Sequence, residues 1–325
     1  MIHALRLPLT AAALAAAVVS AALPAAQPAA KPAAPASGPY TVVEIDRSYA
    51  SLQEAVNAIG VGMGTIRVAP GRHADCAVQS RGYVTYVAAT PGQAVFDGTI
   101  CEGKAALVLR GRGANVEGLV FANMKAADFN GAGIRLEKGN LAVNQSWFRD
   151  SQQGILTGQD PTGSLTVDKS TFTRLGTCDG AGGCAHSIYA GGYGTVTVTH
   201  SRFEAGRGGH YLKSRATTVS VLDNSFDDSA GKATNYMIDL PGGAAGRIAG
   251  NIFVQGADKE NHSAFIAIAA EGKTNPSAEL VIESNDARFA PGVQWASVFV
   301  ADWSGQVNRV GPNALATRLA RFEKR

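Results

Sequence analysis

An apolar residue followed five positions later by a phenylalanine returns through the middle of the chain: Val116 and Phe121, Val143 and Phe148, Val167 and Phe172, Val198 and Phe203, Val221 and Phe226, Ile248 and Phe253. Just ahead of the phenylalanine stands a small or amide residue in most copies (Ser146, Ser170, Ser201, Asn224, Asn251). Such residues bend a chain and hydrogen-bond their own backbone. Each copy therefore reads as strand, bend, strand. Between the copies, alternating segments centred on Ile134, Ile155, Ile188, Leu212, Ile238 and Ile266 supply a third strand. A period of roughly 21 to 33 residues with no helical spacing inside the unit belongs to the solenoids. The L-x-x-L-x-L skeleton of leucine-rich repeats is missing, and three short strands per turn with inward Ile, Val and Phe fit a parallel β-helix.

At these residues the chain resembles the right-handed parallel β-helix, or pectin-lyase-like, superfamily. GTIRVAPGRH (residues 64–73) and YVTYVAATPGQAVFDG (residues 83–98) look like its first coil, and the V-x-x-[SN]-x-F units look like its ordinary coils. The resemblance covers most of the chain and implies an all-β, single-stranded right-handed solenoid of nine or ten coils. Activity does not follow, because this scaffold hosts lyases, hydrolases, epimerases and non-catalytic adhesins.

The two ends read differently. Residues 1–26 combine a short basic start (His3, Arg6), an alanine-dominated apolar run and small residues before a cut after Ala22 or Ala26, the pattern of a secretory signal peptide. The run is short for a membrane span and no cysteine stands at the cut, so no stable membrane anchor is expected. Residues 27–39 form a Pro/Ala-rich linker, leaving residues 40–325 as one β-helix domain, expected to act as a monomer in the periplasm or outside the cell. SYASLQEAVNAI carries Leu52, Ala55, Val56 and Ile59 at helical spacing and a Ser51–Glu54 capping box, so a helix should close the open end of the solenoid. NALATRLARFEKR is the matching candidate at the other end.

Four cysteines in an exported chain suggest two disulfides. Cys76 and Cys101 lie about one coil apart, and Cys178 and Cys184 enclose the loop CDGAGGC. His186 nearby leaves a zinc site as the alternative at that loop, and other pairings stay open. Formal net charge is +3 with 17% charged residues, so no global field points to nucleic acid and any preference for an anion must be local.

In the superfamily that the chain resembles, ligands lie along the Ile-centred strand. Alternation puts the residues one before, one after and three after each centre outside. Those columns place Tyr189, Lys213 and Asp239 in one line, with Arg215 beside it, Arg135 at its start and Tyr211 in the preceding column. Lys and Arg together can hold a sugar carboxylate and favour loss of the adjacent proton, the equipment of a uronate lyase or C5-epimerase. The catalytic candidates are Tyr189, Lys213, Arg215 and His210. The substrate-binding candidates are Asp239, Tyr211, Arg135 and His186, and the partner is an acidic polysaccharide. Lys213 is the less comfortable base, because Asp239 one rung away favours its ammonium. His186, His210 and Tyr236 form either an internal polar ladder or, if the turn ends later, a stack opening on the groove.

Two rivals remain at this stage, and one further role for Asp239 inside the main reading. Lys213 with Asp239 can be an ordinary inter-rung ion pair on a non-catalytic, glycan-binding β-helix. An inverting glycoside hydrolase would need clustered aspartates on the groove strand, where Asp227 and Asp228 do not fall. Asp239 could alternatively help hold a calcium ion, as an acidic group does in alginate and dermatan lyases of this fold; the arginine those enzymes carry on the coil after the catalytic lysine is missing here, Asp239 standing in its place.

Overall fold

The computed structural model describes residue 1, residues 38–307 and residues 309–325. The expected signal peptide and nearly all of the linker lie outside the described residues. The chain winds into a parallel β-solenoid of three sheets, with twelve strands in the first and ten in each of the others. Two short strands close the edge of the first sheet: Tyr40–Val42 pairs antiparallel with Met63–Val68, and Arg47–Tyr49 pairs antiparallel with Tyr40–Val42.

The repeat maps onto this architecture residue by residue. Val116, Val143, Val167, Val198, Val221 and Ile248 are successive partners in the first sheet. The phenylalanines from Phe96 to Phe253 are successive partners in the second. Their rings stack inside the coil with centroids 4.7 to 5.6 Å apart, so the sheet spacing itself enforces the stack.

Between the first and second sheets the bend is made by one residue with positive φ: Gln145, Lys169, His200, Asp223 or Ser284. A non-glycine residue there costs roughly 1–2 kcal/mol. The next residue offsets that cost along the solenoid axis. Ser146 N donates to Ser170 Oγ, Ser170 N to Ser201 Oγ, Ser201 N to Asn224 Oδ1, Asn224 N to Asn251 Oδ1 and Asn251 N to Asn285 Oδ1, at 2.9 to 3.2 Å. Each such bond is worth about 1 kcal/mol net, and more if its loss strands a buried donor.

One α-helix stands among the described residues, Leu52–Ile59. Its capping box is present: Ser51 Oγ accepts from Glu54 N and Glu54 Oε2 accepts from Ser51 N, both at 3.3 Å. Leu52, Ala55 and Val56 are buried against the first coil. The Gln53 amide accepts from Val78 N at 2.7 Å and donates to Val78 O at 3.1 Å, which satisfies backbone groups of the edge strand Ala77–Gln79. The C-terminal segment lies at the other end of the solenoid as strands: Ala314–Leu315 pairs with Asp286–Phe289 and Leu319–Lys324 with Ser297–Asp302, the last members of the second and third sheets.

Both cysteine pairs form as expected, Cys76–Cys101 and Cys178–Cys184. The second consumes the thiols that a zinc site would need, so that alternative falls. No helix among the described residues is long and apolar enough to cross a membrane.

Candidate functional site

The third-sheet strands that matter are short: Ile188–Ala190, Leu212–Ser214 and Ile238–Leu240. Each starts at its central residue, so the residue before it still belongs to the turn and escapes strand alternation. Tyr211 and Met237 consequently point inward and are fully buried. This corrects the expectation for Tyr211. Its hydroxyl donates to Asp228 Oδ1 at 2.7 Å and accepts from Gly206 N at 3.0 Å, inside the core, where no substrate reaches. The side chains two before and one after the centre share the outer face instead.

That face brings together most of the expected residues. Tyr189, Lys213 and Asp239 are register partners on consecutive rungs. His186 and His210 stand beside them with stacked rings 5.0 Å apart, and Tyr236 continues the stack at 5.6 Å. The local sequence explains the approach. Gly208 and Gly209 both have positive φ, and a Cβ on Gly209 would lie 2.1 Å from Ala185 O and 2.6 Å from His186 Nδ1. Only a glycine there lets His210 N donate to His186 Nδ1 at 3.0 Å. The histidine stack, though buried, and the Tyr189–Lys213–Asp239 line thus form one cluster.

Arg135 is the exception on this face. It occupies the same column but is separated from Tyr189 by Leu156. Its nearest carboxylate is Glu137 at 3.8 Å, within a separate ion-pair network that also holds Glu102, Lys104 and Arg110.

A residue that column counting cannot reach completes the cluster. Glu271 lies in the turn after Ala264–Ile268, outside any strand alternation. Its Oε1 accepts from Lys213 Nζ at 2.5 Å and its Oε2 from Arg215 Nη2. Arg215 also donates through Nε to Tyr189 Oη at 3.0 Å. Lys213 Nζ contacts Asp239 Oδ2 at 3.2 Å and sits 5.8 Å from the Tyr189 ring centroid. Lys213 and Asp239 are buried.

Burial and these contacts set the protonation states. Burial pulls Lys213 down, but the Asp239 and Glu271 carboxylates outweigh it and leave the ammonium favoured. Asp239 is pushed up to about 6 by burial, against the pull of Lys213; its Oδ1 is buried with no protein hydrogen-bond partner. His210 is lowered to about 3 by burial and by Lys213. Its Nδ1 faces Tyr236 O at 3.3 Å, which assigns the proton to Nδ1 and leaves the Nε2 lone pair toward Asp239 Oδ2 at 3.4 Å. Two facing lone pairs favour a proton between them, in keeping with the raised Asp239. His186 is held neutral by burial, reinforced by His210 and Lys213.

The donor set does not fit calcium. That ion takes six to eight oxygen ligands, whereas each carboxylate here already faces an ammonium or a guanidinium. Asp228 is equally unsuited to hydrolysis: its buried side chain holds Tyr211, Thr234 and the buried Lys259, the last at 3.1 Å.

Two concavities of about 490 Å³ each border the third sheet. One runs along its junction with the first sheet, past Arg81, Arg112 and Lys138. The other lies at its junction with the second, beside the Cys178 loop, with Arg174 and Arg207 on its wall.

Comparison with known proteins bears on the architecture. No protein-family model matches the chain, and no curated protein matches it. Among solved structures, the chain is similar to ORF18 of Geobacillus virus E2, with a TM-score of 0.57 and 13% identity over 85% of this chain and 57% of that one. The chain thus spans a little over half the length of that protein, and the likeness concerns the fold: a parallel β-solenoid.

Proposed function

We propose that the protein is an exported carbohydrate-active enzyme that acts on a uronate-containing polysaccharide by β-elimination or C5 epimerisation. The observation that carries this reading is the Glu271 carboxylate held jointly by Lys213 and Arg215, next to a tyrosine hydroxyl. A carboxylate from a uronate would take the place of Glu271, which sits on an exposed turn. Ion pairing there neutralises the substrate carboxylate and favours loss of the C5 proton. Tyr189 acts as the phenolate, toward which Arg215 Nε donates, and takes that proton. In elimination the C5–H and C4–O bonds break, C4=C5 forms and the leaving oxygen takes up the proton that Tyr189 has gained. In epimerisation a solvent water gives a proton to the opposite face of C5 and Tyr189 passes its own to solvent. Asp239 and His210 orient Lys213 from behind.

The test is absorbance in the unsaturated-uronate band while the purified protein is offered polygalacturonate, alginate and glycosaminoglycans. Tyr189→Phe removes only a hydroxyl and should lower kcat by roughly 10²–10⁴-fold with little change in KM. Glu271→Gln should lower KM, because an internal competitor for Lys213 and Arg215 is weakened. Turnover unaffected by Tyr189→Phe would remove the assignment.

A non-catalytic glycan-binding protein is the second reading. It is favoured by the fact that Lys213 and Arg215 already pair with Asp239 and Glu271. It requires binding of the same polymers without turnover.

A further inference from the structure

The junction of the third and first sheets carries a feature that the Tyr189 cluster does not use. After strands Ala77–Gln79, Ala105–Leu109 and Ala132–Leu136, the chain turns through Arg81–Gly82, Gly111–Arg112 and Lys138–Gly139. Each turn pairs one cation with one glycine. The glycines make the floor of the cavity of about 490 Å³. A Cβ on Gly111 would lie 2.6 Å from Gly82 O, and one on Gly139 would lie 2.3 Å from Gly111 O. The glycines let one coil sit closely on the next, with the Gln79 side chain also packed against Gly111, where a Cβ would lie 2.5 Å from its Nε2.

The cations on its rim are uncompensated. Arg81, Arg112 and Lys138 form no ion pair among the described residues, and Arg112 is held in place by the carbonyls of Val61 and Gly62, at 2.8 and 3.3 Å. The one carboxylate in the lining, Asp160, is turned onto Gly139 N and the backbone and hydroxyl of Thr162. Arg110, also in the lining, is neutralised by Glu102 and Glu137. The cavity on the opposite side of the sheet differs in this respect: Asp150 pairs with its Arg174 at 2.7 Å and approaches its Arg207 at 3.5 Å.

We propose that this groove binds a linear polyanionic polysaccharide lying parallel to the solenoid axis, with one acidic group per sugar facing one cation per coil. Successive coils are about 4.8 Å apart, close to the repeat of an extended pyranose chain. The favoured ligand is a polyuronate rather than a nucleic acid, because the lining supplies hydroxyl and amide groups such as Ser80, Asn140 and Thr162 and no aromatic ring on which a base would stack. The proposal shares with the functional reading only the class of polymer. The groove contains none of the residues assigned to proton transfer or carboxylate binding there.

The experiment is isothermal titration of the purified protein with polygalacturonate and alginate, with neutral dextran and double-stranded DNA as comparisons, at low and high salt. The variant is Arg81→Glu/Lys138→Glu, which breaks no hydrogen bond among the described residues; an unchanged melting temperature verifies folding. Arg81→Gln/Lys138→Gln is the milder replacement should the first pair fail to fold. Expected are salt-sensitive binding of a polyuronate, its weakening by about tenfold or more in the variant, and retention of most of that affinity in Tyr189→Phe. Absence of binding to both polyuronates, equal binding in the variant, equal binding of dextran, or tighter binding of DNA would each overturn the proposal. Loss of binding in the variant of a protein without C5 chemistry leaves the groove standing and the catalytic reading fallen. Turnover indifferent to the variant, with unchanged binding, does the reverse.

Discussion

The charged residues of the cluster make opposite demands on pH. Asp239 is held at about 6, against about 3.9 in an unfolded chain. On acidification the folded state takes up this proton first, so the group adds stability as pH falls from about 6 to about 4 and costs stability above 6. His210, lowered to about 3 from about 6.5, behaves in the other sense: its contribution is full above about pH 6.5 and is lost as pH falls. Replacing Asp239 by Asn should therefore raise the melting temperature relative to wild type at pH 7.5, and the advantage should shrink by pH 5, a change on the order of 2 kcal/mol. A pH-independent difference would contradict the burial of this carboxylate. His210→Gln should flatten the acid side of the wild-type curve between pH 6.5 and 4.5, visible in thermal melts by circular dichroism. Tyr189, Lys213 and Asp239 were legible as neighbours because in-register parallel coils turn sequence spacing into columns. Glu271 was not, since a turn residue belongs to no column. Tyr211 was placed outside because alternation was applied one residue before the strand begins.

Among the elements, the phenylalanine stack and the Ser/Asn ladder are the repeating supports, and both stand openly in the V-x-x-[SN]-x-F unit. Phe172 and Phe203, the closest pair at 4.7 Å, lie in the middle of the stack. Phe203→Ala should cost about 3–5 kcal/mol by opening a cavity that neighbouring rungs cannot collapse, measured by denaturant unfolding. Asn251 accepts from Asn224 N at 2.9 Å and donates to Val221 O at 2.8 Å. Asn251→Ala strands both buried groups and should cost about 2–4 kcal/mol, whereas Asn251→Ser, the residue used by earlier coils, should recover part of that loss. The sequence placed the bend at the Ser or Asn, whereas the residue before it takes the positive φ; the Ser or Asn bonds along the axis to the next coil, a link that depends on the register between coils. The helix Leu52–Ile59 was readable from its capping box. The terminal segment was placed at the other end from its position in the chain, and its strands followed only from the free edges of the last coil.

For the whole molecule, a solenoid sums the stabilities of neighbouring coils, so its ends are the places where unfolding begins. Cys76–Cys101 fastens the first coils across a separation of 25 residues, where loop closure is worth about 3 kcal/mol in the chain-entropy account. Its reduction should lower the melting temperature more than loss of Cys178–Cys184, which spans 6 residues. The long sheets also hold two proposed acid-binding features in fixed relation: the Lys213–Arg215 pair on the face of the third sheet and the cationic groove at its corner. The central claim is that Tyr189 takes a C5 proton from a bound uronate. Its most direct test is nuclear magnetic resonance of polyuronates incubated with the protein in heavy water, following the C5 position and unsaturated chain ends in one sample. Deuterium at C5 or new unsaturated ends, both abolished in Tyr189→Phe, is the predicted result. A polymer that keeps its C5 protons and its length after prolonged incubation would contradict it.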